Sequence, residues 1–168
     1  IYNRALSAAE VTQLNALEAP PAPVITAQPQ GANVLAGAAK TLDVNATSAT
    51  AYQWQKQDAN GTYTDLNGST AASLTVSGMN AAQAGNYRVV VSNAGGSVIS
   101  TAAALALVTL PAITGHPADA NATAGNSATV TVTAAGTAPL SYQWQKNNVD
   151  VAGATNASLT LANVQPVD

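Results

Sequence analysis

Residues able to do chemistry are scarce in this chain. Its 168 residues include one histidine, no cysteine, eight acids and five bases. The histidine, His116, sits in Gly115–Pro117, and its repeat counterpart is Gln28. A catalytic triad needs a nucleophile beside a base that a third group orients. Nothing around His116 supplies that context, so a structural loop residue is expected and no enzyme activity is assigned. The strongest metal candidate is QDANGTYTD (Gln57–Asp65), where Asp58, Asn60 and Asp65 offer the hard oxygens that calcium prefers. Its glycine, Gly61, comes too early for an EF-hand loop. Asn60-Gly61 is also the leading two-residue hairpin turn, so a solvated hairpin is expected and no metal or other cofactor is assigned. Asn45, Asn60, Asn67, Asn121 and Asn156 begin N-x-S/T triplets, read as products of composition. Tyr63 could stack on a sugar ring, but a single aromatic makes no platform.

Composition removes further classes. Charged residues are 8% of the chain, against roughly 25% in ordinary domains, so Thr, Ser, Asn and Gln must supply the polar surface. The net charge is −3 and no basic stripe exists, which excludes nucleic acid and anionic membrane as natural partners. No apolar run approaches the roughly 20 residues that span a bilayer. The opening IYNRALSAAEVTQLNALE lacks the basic and apolar regions of a signal peptide and a starting Met, so it reads as part of a processed or longer chain. Without cysteine, neither disulfides nor thiolate chemistry is possible. Low charge with abundant Thr, Asn and Ala points to export, secreted or at the cell surface.

The elements are legible from punctuation and period. Ser7 and Glu10 form a capping box, followed at helical spacing by Val11, Leu14 and Leu17, and EAPPAP (Glu18–Pro23) ends this helix. Short alternating runs then mean strands. They repeat. PVITAQP at residues 23–29 matches PAITGHP at 111–117, an offset of 88, and TLDVNA at 41–46 matches TVTVTA at 129–134. YQWQK occurs at 52–56 and 142–146, an offset of 90, and ASLTV at 72–76 matches ASLTL at 157–161. A domain-sized period with small drifts indicates tandem homologous domains. About seven short strands per unit predict antiparallel sandwiches. Period 2 places Leu42, Val44 and Ala46 on one face. The same rule pairs Tyr52 with Trp54, Leu74 with Val76, and Tyr87 with Val89 and Val91. The repeated Trp is therefore expected at the centre of each core.

On these residues, both repeats resemble bacterial immunoglobulin-like domains of the intermediate-set type, over residues 24–168. The resemblance implies that Trp54 and Trp144 are the strand-C tryptophans and that Val44 and Val89 occupy the positions of a strand B–F cysteine pair. QAGNYRV (Gln83–Val89) matches an Asp-Ala-Gly-x-Tyr-x-Cys corner, making Tyr87 a tyrosine-corner residue whose hydroxyl bonds upstream backbone. With Gln83 in place of the Asp, a salt bridge there is lost. With valines in place of cysteines, packing on Trp54 must replace a bond worth roughly 2–5 kcal/mol. The opening Ile1–Val11 resembles the closing segment of laminin-G-like, concanavalin-type jelly rolls.

The organisation expected is all-β: a jelly-roll remnant with a short helix over 1–19, one immunoglobulin-like sandwich over 20–109, and a second over 110–168 that lacks strands F and G. Asp168 aligns with Gln83, so Val132, Trp144 and Leu159 should lie uncovered unless the polypeptide continues or another chain adds strands. The expected function is a spacer: stalk, adhesin or fibre modules of a large secreted or cell-surface bacterial protein. Its partners would be neighbouring domains of the same polypeptide, with self-assembly through edge strands. The alternative is a set of accessory domains in a secreted carbohydrate-binding or polysaccharide-degrading protein, with a glycan as partner.

Overall fold

The computed structural model of the chain describes residues 5–165, and for residues 15–18 the backbone only. It divides into two compact units, Ile1–Leu107 and Val108–Asp168.

The first unit opens with α1 (Ala8–Glu18). The capping box forms: Ser7 N–H donates to Glu10 Oε2 at 2.9 Å and Glu10 N–H to Ser7 Oγ at 3.3 Å. Each end of the box satisfies an N–H that the helix itself leaves unpaired. Val11 and Leu14 are exposed, and the Leu17 side chain lies outside the described residues. The proline segment that follows is tied down, because Asn93 Nδ2 donates to both Pro21 O and Ser48 O, at 2.8 and 2.7 Å.

Ten strands make two layers. β1 (Val24–Ala27) pairs β4 (Asn45–Thr47), and β3 (Lys40–Asp43) pairs β7 (Ser73–Val76). The facing layer comprises β2 (Ala32–Leu35), β5 (Ala51–Gln57), β6 (Tyr63–Asp65), β8 (Gly85–Asn93), β9 (Gly96–Ile99) and β10 (Ala103–Val108). Its order is β2-β10-β8-β5-β6, with β9 also on β8. There are more strands than the seven or so expected, in part because two are interrupted. At Val44 the chain leaves β7 for β1. Between β9 and β10 it steps at Ser100, whose buried hydroxyl accepts the Val89 N–H at 3.0 Å while its own N–H donates to Val89 O at 2.9 Å. That step keeps both halves on one edge of β8.

The alternating residues meet between the layers. Leu42 (1% exposed) and Val44 (2%) face Trp54, Val89 and Val91 (each 0%), with Met79 and Leu105 completing the centre. Each fully buried aliphatic contributes about 1.5–3 kcal/mol, and Trp54 is the largest side chain among them. Gly31 shows how closely the edge is fitted. A Cβ there would lie 2.4 Å from the Ala104 carbonyl oxygen, which is fixed backbone in β10. Gly31→Ala should therefore push β2 off the sheet and cost about 1–3 kcal/mol, read as a lower denaturation midpoint at unchanged m-value.

The turn after β5 differs from expectation. Asn60-Gly61 does not make a two-residue hairpin turn, which would need left-handed backbone at both residues; of the two, only Gly61 has it (φ 86°). A longer loop forms instead. Asp58 O accepts the Gly61 N–H at 3.1 Å, and Asp58 N–H donates to Thr62 O at 2.8 Å. The turn between β8 and β9 falls at Ala94-Gly95, with Asn93 and Gly96 paired.

The second unit repeats one layer. β11 (Ala112–Gly115) pairs β13 (Thr133–Ala135), and β12 (Ala128–Thr131) pairs β16 (Ser158–Leu161). β14 (Gln145–Lys146) and β15 (Val149–Asp150) form a short hairpin. Identity with Tyr52–Lys56 predicts a strand over all of Tyr142–Lys146, yet only its last two residues lie in a ladder. Six residues of β5, Ala51–Lys56, pair with β8, which runs beside them, and no described strand does so here. None of the described residues 108–165 is buried, and Val132, Trp144 and Leu159 are all part-exposed.

Candidate functional site

The repeated pentapeptide is the densest concentration of polar and aromatic side chains, and its bonds are repeated with it. Trp54 Nε1 donates to Ala71 O at 3.0 Å, and Trp144 Nε1 to Asn156 O at 2.8 Å. A buried indole needs such a partner. Gln53 Nε2 donates to Trp54 O and Leu66 O, both at 2.9 Å, and Gln143 Nε2 does the same to Trp144 O and Val151 O, again at 2.9 Å. Gln55 Nε2 reaches Asp65 Oδ1 at 2.8 Å; Gln145 Nε2 reaches Asp150 Oδ1 at 2.8 Å. Thus the indole anchors the following loop, the first glutamine clamps the strand crossing, and the second bridges the hairpin. The identity of both glutamines across the repeats was the signal for these clamps, and alternation alone assigns them only to the outer face.

Tyr87 sits at the other end of the core. Its hydroxyl donates to Gln83 O at 2.6 Å, the tyrosine-corner geometry. Lys56 reaches Ala82 O and places its ammonium 5.8 Å from the Tyr87 ring centre. Beside them, Gln83 Oε1 is buried with no partner among the described residues, a cost where the family carries a charged Asp. Burial pushes the Tyr87 hydroxyl above its ordinary 10.0. The neutral phenol is therefore favoured in the fold, so its contribution is complete below pH 10 and is lost as pH rises through the raised value. Tyr87→Phe should cost about 1–3 kcal/mol at neutral pH, since the Gln83 carbonyl loses its donor. It should also flatten the loss of stability above pH 10, measured by denaturant titration across pH 7–11.

The outer face of the six-stranded layer carries one arrangement that sequence reasoning missed. Arg88 lies over Tyr63, its guanidinium carbon 3.9 Å from the ring centre, and its Nε donates to Gln55 Oε1 at 2.7 Å. Asn86 Nδ2 donates to Gln57 Oε1 at 2.8 Å. Tyr63 thus has one ring face covered by arginine, which reduces its use for stacking on a sugar. No sequence signal links residues 25 positions apart on different strands.

The metal candidates are already engaged within the protein. Asp58 Oδ1 accepts the N–H groups of Asn60 and Thr62 at 2.9 and 2.8 Å, and Asp65 is held by Gln55 on the strand side. Among the described residues no group of three or more His, Cys, Asp or Glu is placed to hold a metal. His116 is exposed, whereas Gln28 Oε1 accepts the Thr101 N–H at 2.9 Å and so ties the first strand to the last. Asn45, Asn60, Asn67, Asn121 and Asn156 are all exposed. Among the described residues no helix is long and apolar enough to cross a membrane.

Two facing layers, a central Trp, a tyrosine corner and the order β2-β10-β8-β5-β6 define the first unit, and residues 22–93 match the immunoglobulin domain family. They form an immunoglobulin-like domain. The fold has counterparts among solved structures: an I-band fragment of titin aligns over 88% of this chain and 57% of its own, with TM-score 0.65 and 17% identity. Sidekick-1 immunoglobulin domains 1–4 align over 88% and 42%, with TM-score 0.65 and 22% identity. At these identities the immunoglobulin likeness concerns fold alone. Endoglucanase C of Cellulomonas fimi is 36% identical over 129 residues, 75% of this chain but only 12% of that enzyme. The chain therefore spans about an eighth of that relative's length.

Proposed function

We propose that the chain is a structural spacer: immunoglobulin-like modules that set distance between other parts of a large secreted or cell-surface bacterial protein. The observation that supports this most is where the polar chemistry goes. In both copies of YQWQK the tryptophan and both glutamines are spent on internal bonds, and Asp58 and Asp65 are likewise taken up. Such bonds stiffen a module and recognise nothing. The low lysine and arginine content (five residues) adds resistance to trypsin-like proteolysis.

A second reading is favoured by the likeness to part of endoglucanase C: accessory modules within a polysaccharide-degrading protein, with glycan contact through Tyr63 or through a jelly roll preceding Ile1–Val11. Retention of the whole chain on insoluble cellulose and a soluble glucan series separates the two. The spacer reading expects no retention above an inert protein. Retention abolished by Tyr63→Ala would replace it with a glycan-binding role.

A further inference from the structure

The segment that enters each unit is bonded to that unit. In the first, Asn93 at the end of β8 commits its whole side-chain amide to this. Its Nδ2 donates to Pro21 O at 2.8 Å and Ser48 O at 2.7 Å, and its Oδ1 accepts the Gly95 N–H at 2.8 Å. One side chain thus ties together Pro21, the turn between β4 and β5, and its own β8–β9 turn. Ser48 holds left-handed backbone (φ 57°), which a residue with a Cβ adopts reluctantly, and its carbonyl goes to Asn93. Gly95 completes the contact. A Cβ there would run into the Pro20 carbonyl oxygen and lie 2.9 Å from the Pro20 carbonyl carbon and 3.0 Å from that of Pro21. These are backbone atoms and cannot swing aside. Gly95 is not in the left-handed region, so the nearness of the linker, and not the turn, requires glycine here. The second unit anchors the corresponding position by other means. Thr109, 88 positions after Pro21, donates its N–H to Thr137 Oγ1 at 2.7 Å, and Thr137 N–H donates back to Thr109 O at 3.1 Å. Thr137 lies 88 positions after Ala49, the neighbour of Ser48. Unrelated side chains therefore hold the same linker position to the same turn in both repeats.

We infer that the Asn93–Gly95 turn is a linker lock, a conformational device that fixes the direction in which α1 leaves the first sandwich. Few torsions remain free once it is closed. Pro20, Pro21 and Pro23 have φ set by their rings, and the lock holds the peptide groups of Pro20 and Pro21 against the β8–β9 turn. Ala19 is the one residue between Glu18, the last of α1, and Pro20. As the residue before a proline, Ala19 is itself restricted by the ring that follows. Val11 and Leu14 are exposed, so their apolar contact does not place the helix; the linker does. A proline run alone is a semi-rigid spacer that can still pivot at its ends. Bonding its carbonyls to the sandwich removes the pivot at the sandwich end. The inference stands whether the chain serves as a spacer or as an accessory module, because it concerns how the first unit holds the segment that enters it.

The absence of cysteine makes the test direct, since two introduced thiols take nitroxide labels with no competing site. Ala9→Cys on α1 and Ser73→Cys on β7 place labels at two exposed positions of the full chain. Electron-spin distance measurement between them should give one narrow distribution. Asn93→Asp keeps the oxygen that accepts the Gly95 N–H but loses both donors to Pro21 and Ser48, and it should at least double the width of the distribution. Gly95→Ala, whose methyl displaces Pro20, should do the same. A broad distribution in the parent, or an unchanged width in Asn93→Asp, would overturn the proposal. Should Gly95→Ala lose the cooperative unfolding of the first sandwich, the Asn93→Asp result alone decides.

Discussion

Trp54→Ala should cost the first sandwich about 3–5 kcal/mol, the range for removing a large aromatic from a packed core, whereas Trp144→Ala should cost far less. The two residues occupy the same place in identical pentapeptides and make equivalent indole bonds, to Ala71 O and Asn156 O. They differ in what covers them. Trp54 is fully buried, with Val89 of β8 directly beside it; Trp144 is part-exposed, so its removal gives up less buried apolar surface. A loss of 3–5 kcal/mol leaves a domain of this size near its unfolding threshold. Each variant also isolates the other tryptophan as a fluorophore. The Trp144→Ala protein should emit as a buried indole with a cooperative denaturation curve, and the Trp54→Ala protein as a hydrated one. Equal destabilisation by the two substitutions would contradict this reading of the second unit.

The second large effect comes from the valine pair. Val44 and Val89 are 2% and 0% exposed, lie in facing layers of one core, and are the residues that the resemblance to immunoglobulin-like domains matches to an inter-sheet cysteine pair. Val44→Cys with Val89→Cys should therefore oxidise to a disulfide with the native backbone in place. The loop it closes runs from 44 to 89, and constraining a loop of that length in the unfolded state is worth about 4 kcal/mol in the chain-entropy treatment. For a domain of this size the midpoint should rise on the order of 15 °C. Reduction should return it to the parent value or slightly below. Intact mass before and after reduction verifies the bond. Failure to oxidise, or an oxidised protein that melts below its parent, would mean the two side chains are not in family register.

These expectations show which parts of the fold are written locally. Burial at Leu42, Val44, Trp54, Tyr87 and Val89 was legible because a period-2 apolar pattern states which side faces the core. The capping box at Ser7 and Glu10 involves neighbours in sequence and was equally plain. Turn geometry at Asp58–Thr62 was not, because Asp58 outcompetes the Asn60-Gly61 pair by collecting two backbone N–H groups. The strand breaks at Val44 and Ser100 depend on partners on other strands, Ala72 and Val89, as does the stacking of Arg88 on Tyr63. The shortening of Tyr142–Lys146 to a two-residue ladder is the plainest case. Its sequence is identical to that of Tyr52–Lys56, and only the neighbouring strand decides whether it pairs.

Residue-resolved hydrogen exchange on the whole chain tests most directly whether the first unit holds the closed core and residues 108–165 do not. Amides of β3, β5 and β8 should exchange only through global unfolding, with a shared free energy, while those of residues 128–161 exchange through local opening at much lower cost. Protection of equal strength across both repeats would contradict that division.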